Sequence, residues 1–164
     1  MPVQISDIAR YPDFGPTVAD RVWSAWWRPK GYSLDIIMVW MRAHFAGAPL
    51  PFCLVAHEGE TFIGTASLVA SDMQECLDLS PWVAAVWVDP DHRNRGVGTA
   101  LIREAVDRAR QRGFERVHLG ADADRRRFLE GIGWELMGRG IGVRKLDVFR
   151  RSTDSRAGEG DAIS

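Results

Sequence analysis

Apolar residues recur along this chain in two periods, and the switches between them mark out its elements. Val3–Ile8 alternates apolar and polar positions, as an edge strand with one buried face does. Two prolines interrupt Tyr11–Pro16, and Thr17 then stands where a helix N-cap belongs. Val18, Val22, Trp23, Trp26 and Trp27 follow at helical spacing until Pro29-Lys30-Gly31 ends the run. Ser33 is placed to cap a second helix carrying Leu34, Ile37, Met38 and Met41 on one face, and Ala46–Pro51 is a linker of small residues and prolines. Phe52–Ala56 and Thr61–Val69 predict a hairpin around His57-Glu58-Gly59-Glu60. An acidic, irregular stretch, Ser71–Pro81, leads into Trp82–Val88, which reads as a buried strand.

The pattern is strongest over Thr99–Arg112. Leu101, Ile102, Ala105, Val106 and Ala109 form one stripe, Arg108, Arg110 and Arg112 suit the negative end of the helix dipole, and Gly113 stops the helix. Arg116–Leu119 is then a strand, Asp124–Ile132 a short helix, Gly133-Trp134 the start of another strand and Val143–Phe149 the last. The order β-α-α-β-β-β-α-β-α-β-β predicts an α/β chain, a mixed sheet with helices on both faces. One domain over residues 1–150 follows, in a chain of 164 residues, which is long enough to bury a real core. Residues 151–164, almost without apolar side chains, are expected to form a polar, mobile tail.

Composition narrows the classes. With 46% hydrophobic and 26% charged residues and a net charge of −1, the chain has the make-up of a soluble globular protein. It lacks the basic excess of a nucleic-acid binder, and Arg125-Arg126-Arg127 and Arg150-Arg151 read as solvated faces. No apolar run approaches the length that spans a bilayer, and Met1–Asp7 shows no basic segment followed by an apolar core. A cytoplasmic protein with no membrane or nucleic-acid partner is expected. Cys53 and Cys76 have no metal-type spacing and read as free thiols of a reducing compartment. His44, His57, His92 and His118 are scattered without an i, i+4 pair, so no metal site is expected.

The candidate chemistry sits in Ala84–Ile102, A-A-V-W-V-D-P-D-H-R-N-R-G-V-G-T-A-L-I. A strand passes through a basic loop into Gly96-Val97-Gly98 and opens a helix there. A helix start leaves its first N–H groups without intrahelical acceptors and carries about half a positive charge. Gly96 and Gly98 have no Cβ, so an anion can lie against those N–H groups, with Arg93 and Arg95 as mobile positive charge beside them. Glu104 is the first acid within the helix. A dinucleotide fingerprint would need glycine three beyond Gly98, where Leu101 stands, and a P-loop would need Gly-Lys-Ser/Thr, where Gly98-Thr99-Ala100 stands.

Arg93-Asn94-Arg95-Gly96-Val97-Gly98 matches Gln/Arg-x-x-Gly-x-Gly/Ala after a hydrophobic strand and a proline, and so resembles the pyrophosphate loop of the GNAT N-acetyltransferases. The element order over Val3–Phe149 is similar to that family's fold as well. The resemblance implies a GNAT fold with a splayed central sheet and acetyl-CoA as cosubstrate. Its cofactor site would be Val86, Trp87, Val88, Arg93, Asn94, Arg95, Gly96, Val97, Gly98 and Thr99. The pantetheine arm would lie along the strand, bonding the backbone of Val88, with the Val86 N–H aimed at the acetyl carbonyl. It further implies an N-acetyltransferase acting by direct attack in a ternary complex, with no metal.

The chain departs from the family where protons move. The strand position that often carries a glutamate base is Trp82, and no ionisable side chain lies between Asp78 and Asp89. Asp78, with Asp72 and Glu75 in the loop leading in, is the candidate base through a water chain. The family's tyrosine acid, five residues before the aromatic of a Gly-Phe/Trp pair, falls on Leu129 in Leu129-Glu130-Gly131-Ile132-Gly133-Trp134. Phe128 cannot donate either, and His118 is the one conceivable substitute. No Lys or Arg lies between Ser71 and Val88, so the loop acids favour a small cationic amine resting on Trp23, Trp26, Trp27 and Trp40. Core packing is the competing role for those tryptophans. A non-catalytic acyl-CoA-binding sensor is the alternative function, and a homodimer is left open.

Overall fold

The structure is a computed structural model describing residues 2–154. The chain divides into two compact units. One comprises the residues up to Leu68 with Ala85–Ala105, the other Val69–Ala84 with the residues from Val106 on.

In the first unit, strand β1 (Gln4–Asp7) leads through two short 3₁₀ turns to helix α1 (Gly15–Val22). The helix starts two residues before the expected cap. Pro16 occupies its first turn and no side chain caps it, because a proline there has no N–H to satisfy and a backbone already set for helix. Thr17 is therefore inside the helix, not at its cap. The helical path continues as a π-turn over Trp23–Trp27 and a 3₁₀ turn over Arg28–Lys30, and Gly31 ends it in the left-handed region. Helix α2 (Leu34–Phe45) is capped as expected, the Ser33 hydroxyl accepting from the Ile36 N–H at 3.4 Å.

Strands β2 (Phe52–Glu58) and β3 (Thr61–Val69) form the expected hairpin, and β1 pairs antiparallel with β2. Val55 lies opposite Thr65 and Ala56 opposite Gly64, so successive pairs face opposite sides. Cys53, Val55 and Phe62 join Ile8, Val18, Val22, Ile37 and Met41 in one buried cluster with α1 and α2. On the other side, Leu101 of helix α3 (Val97–Gln111) comes to 3.2 Å from where a Cβ on Gly64 would stand. Helices thus cover both faces of this part of the sheet.

Strand β4 (Trp82–Val88) begins in the second unit and ends in the first. In the second unit, Trp82 and Val83 pair in parallel with His118 and Leu119 of β5 (Arg116–Ala121). Helix α4 (Arg126–Gly131) follows, then β6 (Glu135–Ile141) and β7 (Leu146–Ser152), with β7 antiparallel to both β5 and β6. Across the seven strands the order is β1-β2-β3-β4-β5-β7-β6, a mixed α/β sheet with four α-helices. Met73, Trp82 and Val148 form this unit's buried cluster. Buried Asp147 anchors α4 by accepting from Arg126, their ion pair closing to 2.6 Å.

The last strand starts at Leu146, not Val143, because Gly142–Lys145 make the turn, with Lys145 at φ 51. Arg151 and Ser152, expected to open the tail, complete β7. Thr153 is tied to the Glu115 carbonyl through its N–H at 3.0 Å and to the Phe114 carbonyl through its hydroxyl at 2.7 Å. The rest of the expected tail, 155–164, lies outside the described residues. Among the described residues no helix is long and apolar enough to cross a membrane.

Candidate active site

Strand β4 breaks its own regularity just before the residue expected to meet the acetyl carbonyl. Ala85 has φ 53, a left-handed conformation unusual for a residue with a Cβ, so the backbone is re-aimed immediately ahead of Val86. Ala85 and Trp87 pack toward the cluster of α1 and α2, while Val88 reaches toward α3, its Cγ2 being the nearest atom to a Cβ on Gly98. Neighbouring β3 comes very close here. A Cβ on Gly64 would stand 2.7 Å from the Trp87 carbonyl oxygen, so only glycine permits this approach. The Asp89 N–H then donates to the Ile63 carbonyl at 2.8 Å.

Trp87 is held from three sides. Its Nε1 donates to Asp89 Oδ1 at 2.9 Å, Trp26 of the π-turn meets it edge-on at 6.4 Å, and the Arg93 guanidinium lies 4.7 Å over its ring. Asp89 is held in turn by Arg21 of α1, whose Nε donates to Oδ1 at 2.8 Å. That bond raises the Arg21 pKa above its ordinary value. Arg93 also donates from Nε to the Val88 carbonyl at 2.8 Å. The mobile charge expected of Arg93 is therefore a fixed one, tying the loop to the strand.

The loop combines extended and left-handed residues. Arg93 is extended at φ −73, ψ 161, while Asn94 and Gly96 have φ 63 and 78. The first intrahelical bond runs from the Ala100 N–H to the Gly96 carbonyl at 3.0 Å, so the N–H groups of Val97, Gly98 and Thr99 have no acceptor within the helix. No acid stands in that first turn, and Asn94 and Arg95 are exposed. The two glycines differ in kind. Gly96 answers a backbone need through its positive φ; Gly98 has helical geometry and nothing nearer to its missing Cβ than Val88 Cγ2 at 3.8 Å. Nothing among the described residues crowds a β-carbon at 98.

In the second unit, Trp82 is fully buried and donates from Nε1 to the Leu79 carbonyl at 2.7 Å. Leu129 is 3% exposed and Phe128 47%. His118 is buried with Nδ1 3.1 Å from the Pro81 carbonyl, which can only accept, so the ring proton sits on Nδ1; burial lowers its pKa. Asp78 is exposed and forms no ion pair among the described residues. Asp72 is not alone. Arg144, from the β6–β7 turn, donates to the Asp72 carbonyl at 2.6 Å and stands 4.0 Å from its carboxylate. Glu75 accepts from the Val143 N–H at 3.4 Å. The acidic loop thus draws a cation from a turn some seventy residues away, as spacing along the chain could not reveal.

The tryptophans divide between core and surface. Trp23 donates to the Tyr32 carbonyl at 2.7 Å with Arg28 over its ring, and Trp27 carries Lys30 over its ring at 4.9 Å. Trp27, Tyr32 and Trp40 contact one another at 5.3 to 5.4 Å. Among the described residues no group of three or more His, Cys, Asp or Glu is gathered as a metal ion would need.

The chain matches a known family over most of its length. The model of the Acetyltransferase (GNAT) family matches residues 19–134, and the chain belongs to that family. An uncharacterized N-acetyltransferase of Methanocaldococcus jannaschii is 40% identical over 53 residues, 30% of this chain and 24% of that protein; the match spans about a quarter of the relative's length. Two solved structures share the fold. The yncA protein of Salmonella typhimurium, with its cofactor acetyl-CoA, superposes with a TM-score of 0.65 at 22% identity, covering 94% of this chain and 95% of that one. An aminoglycoside 6'-N-acetyltransferase complexed with coenzyme A gives 0.70 at 14% identity, covering 93% and 98%.

Proposed function

We propose that the chain transfers an acetyl group from acetyl-CoA to the primary amine of a small, cationic molecule by direct attack in a ternary complex. The observation that carries this reading is Gly98, a position where neither backbone strain nor a neighbour among the described residues requires glycine, at a helix start whose first N–H groups have no acceptor within the helix. A β-carbon there would fill the cradle that a pyrophosphate fits.

Val97, Gly98 and Thr99 would hold the pyrophosphate through their N–H groups, with Asn94, Arg95 and Gly96 completing the loop and Arg93 fixing it to β4. The backbone of Trp87 and Val88 would bond the pantetheine amides. When bound, acetyl-CoA supplies an acyl carbon activated as a thioester. The Val86 N–H, re-aimed by the turn at Ala85, would donate to the acetyl oxygen as charge develops on it. Asp78, through water, would take the proton that the amine sheds. With Asp72 offset by Arg144, the preference for a cationic acceptor rests chiefly on Asp78 and Glu75.

A non-catalytic acyl-CoA sensor is the second reading, favoured by Trp82 and Leu129, both buried and neither able to move a proton. Calorimetry with acetyl-CoA, followed by thiol release over a panel of cationic, neutral and anionic amines, tests both. Binding with turnover of cationic amines is expected. Binding without turnover of any amine favours the sensor, and no binding removes both readings.

A further inference from the structure

Helix α2 is apolar on two sides. Ile37 and Met41 enter the core, yet Ile36, Val39 and Trp40 stand 42%, 54% and 48% exposed on the outer side. A concavity of about 260 Å³ lies there, lined by Asp35, Ile36, Val39 and Trp40. A helix apolar around its circumference is ordinarily covered on both sides, and a contiguous exposed apolar face marks a contact surface.

The charges on this face say what fits it. Asp35, Val39 and Arg42 follow at i, i+4 and i+7 and share one row, with the two charges about 10 Å apart along the axis at 1.5 Å per residue. Both are exposed, and neither forms an ion pair among the described residues. Turned about a two-fold axis near Val39, this row is complementary to itself. Each Asp35 then meets the other copy's Arg42, while the apolar side chains close between them. A parallel arrangement would set like charge on like.

We propose that a second copy of this chain covers the face, the two α2 helices packing antiparallel about a two-fold axis near Val39. The contact is isologous, so every favourable pair occurs twice. Trp40 and Ile36 supply most of the apolar area, and the Asp35–Arg42 pairs fix direction and register.

Sedimentation velocity on the full chain across a concentration series tests it, with Asp35→Arg, Arg42→Asp, their combination, and Val39→Asp. The wild type is expected to dimerise. Each single reversal should raise the dimer dissociation constant about tenfold or more, since symmetry turns one reversal into two like-charge contacts. The combined reversal should return it to within about threefold, because the pair is coupled. Val39→Asp should give a monomer with unchanged circular dichroism. A monomeric wild type at every concentration overturns the proposal, as does a dimer indifferent to all four variants. A monomeric wild type whose acceptor KM rises on Val39→Asp would assign the face to a small apolar ligand.

Discussion

The guanidinium of Arg93 lies 4.7 Å over the Trp87 ring while its Nε binds the Val88 carbonyl. One side chain thereby joins the glycine loop to two consecutive residues of β4. Flatness and fixed donors are both used, and an ammonium supplies neither.

Arg93→Ala is therefore expected to weaken acetyl-CoA binding roughly threefold to tenfold by loosening the loop, on the scale of a lost cation–π contact and hydrogen bond. Arg93→Lys should not restore it. Trp87→Phe should weaken binding as well, and the double variant Arg93→Ala, Trp87→Phe should be less than additive. Calorimetry on the four proteins reads the coupling; strict additivity would mean that Arg93 acts on the cofactor independently of the ring.

Gly98→Val should separate affinity from stability. The fold has room for a β-carbon, its nearest neighbour being Val88 Cγ2 at 3.8 Å, so thermal unfolding should move by no more than about 1 kcal/mol, the size of a helix-propensity difference. Acetyl-CoA affinity should fall more than tenfold, roughly the effect of displacing charge-assisted bonds. An unchanged affinity in the folded variant would remove the central support for the cofactor reading.

Leu129→Tyr tests the missing acid under a constraint that burial imposes. Leu129 is 3% exposed, and forcing a larger ring there should cost about 1–3 kcal/mol, while exposed Phe128→Tyr should change stability by less than about 0.5 kcal/mol. A phenol that reaches the leaving sulfur gives the rate profile an alkaline limb near pH ~10. The limb is expected with Leu129→Tyr. Profiles superimposable on the wild type for both variants would show that another group protonates the thiolate.

The sequence disclosed the order of elements because the apolar period changes cleanly at each one, from two in Thr61–Val69 to 3.6 in Leu101–Ala109. It also disclosed the glycine loop, a local feature. Partners brought together by folding stayed hidden. Arg21 and Asp89 are 68 positions apart, and nothing around Arg21 marks it as more than another helix charge. Arg144 escaped notice for the same reason, and with it the partial neutralisation of a loop that looks purely acidic when read alone. Thr17 failed as a cap because Pro16 already satisfies the first turn.

That neutralisation can be measured. Arg144→Gln should lower the KM for a cationic acceptor about twofold to threefold at low salt, and Asp78→Asn should raise it, both effects shrinking as salt screens them. Equal shifts for a neutral acceptor would show that the loop acts through its shape.

Stability should decline on the acid side of neutrality. Burial lowers the pKa of both His44 and His118, so below the ordinary value of about 6.5 the unfolded chain binds protons that the folded chain does not. Their contribution is complete above that value and is lost as pH falls from it toward the lowered folded values. His44 Nδ1 is buried without a hydrogen-bond partner among the described residues, so His44→Leu should keep or raise stability at pH 7.5 and flatten the decline to pH 5.5. Thermal unfolding of wild type and variant at the two values checks this; equal slopes would acquit His44.

Gly64 is itself given no contact with acetyl-CoA, yet its missing side chain sets how near β3 comes to the Trp87 carbonyl. An alanine there must push that peptide away, carrying with it Val88 and the guanidinium anchored on it. Scanning mutagenesis scored by activity alone would mark residue 64 as chemically essential. Scored by cofactor affinity and stability together, it would emerge as a spacer, a hairpin position whose silence about chemistry hides its control over where the chemistry is held.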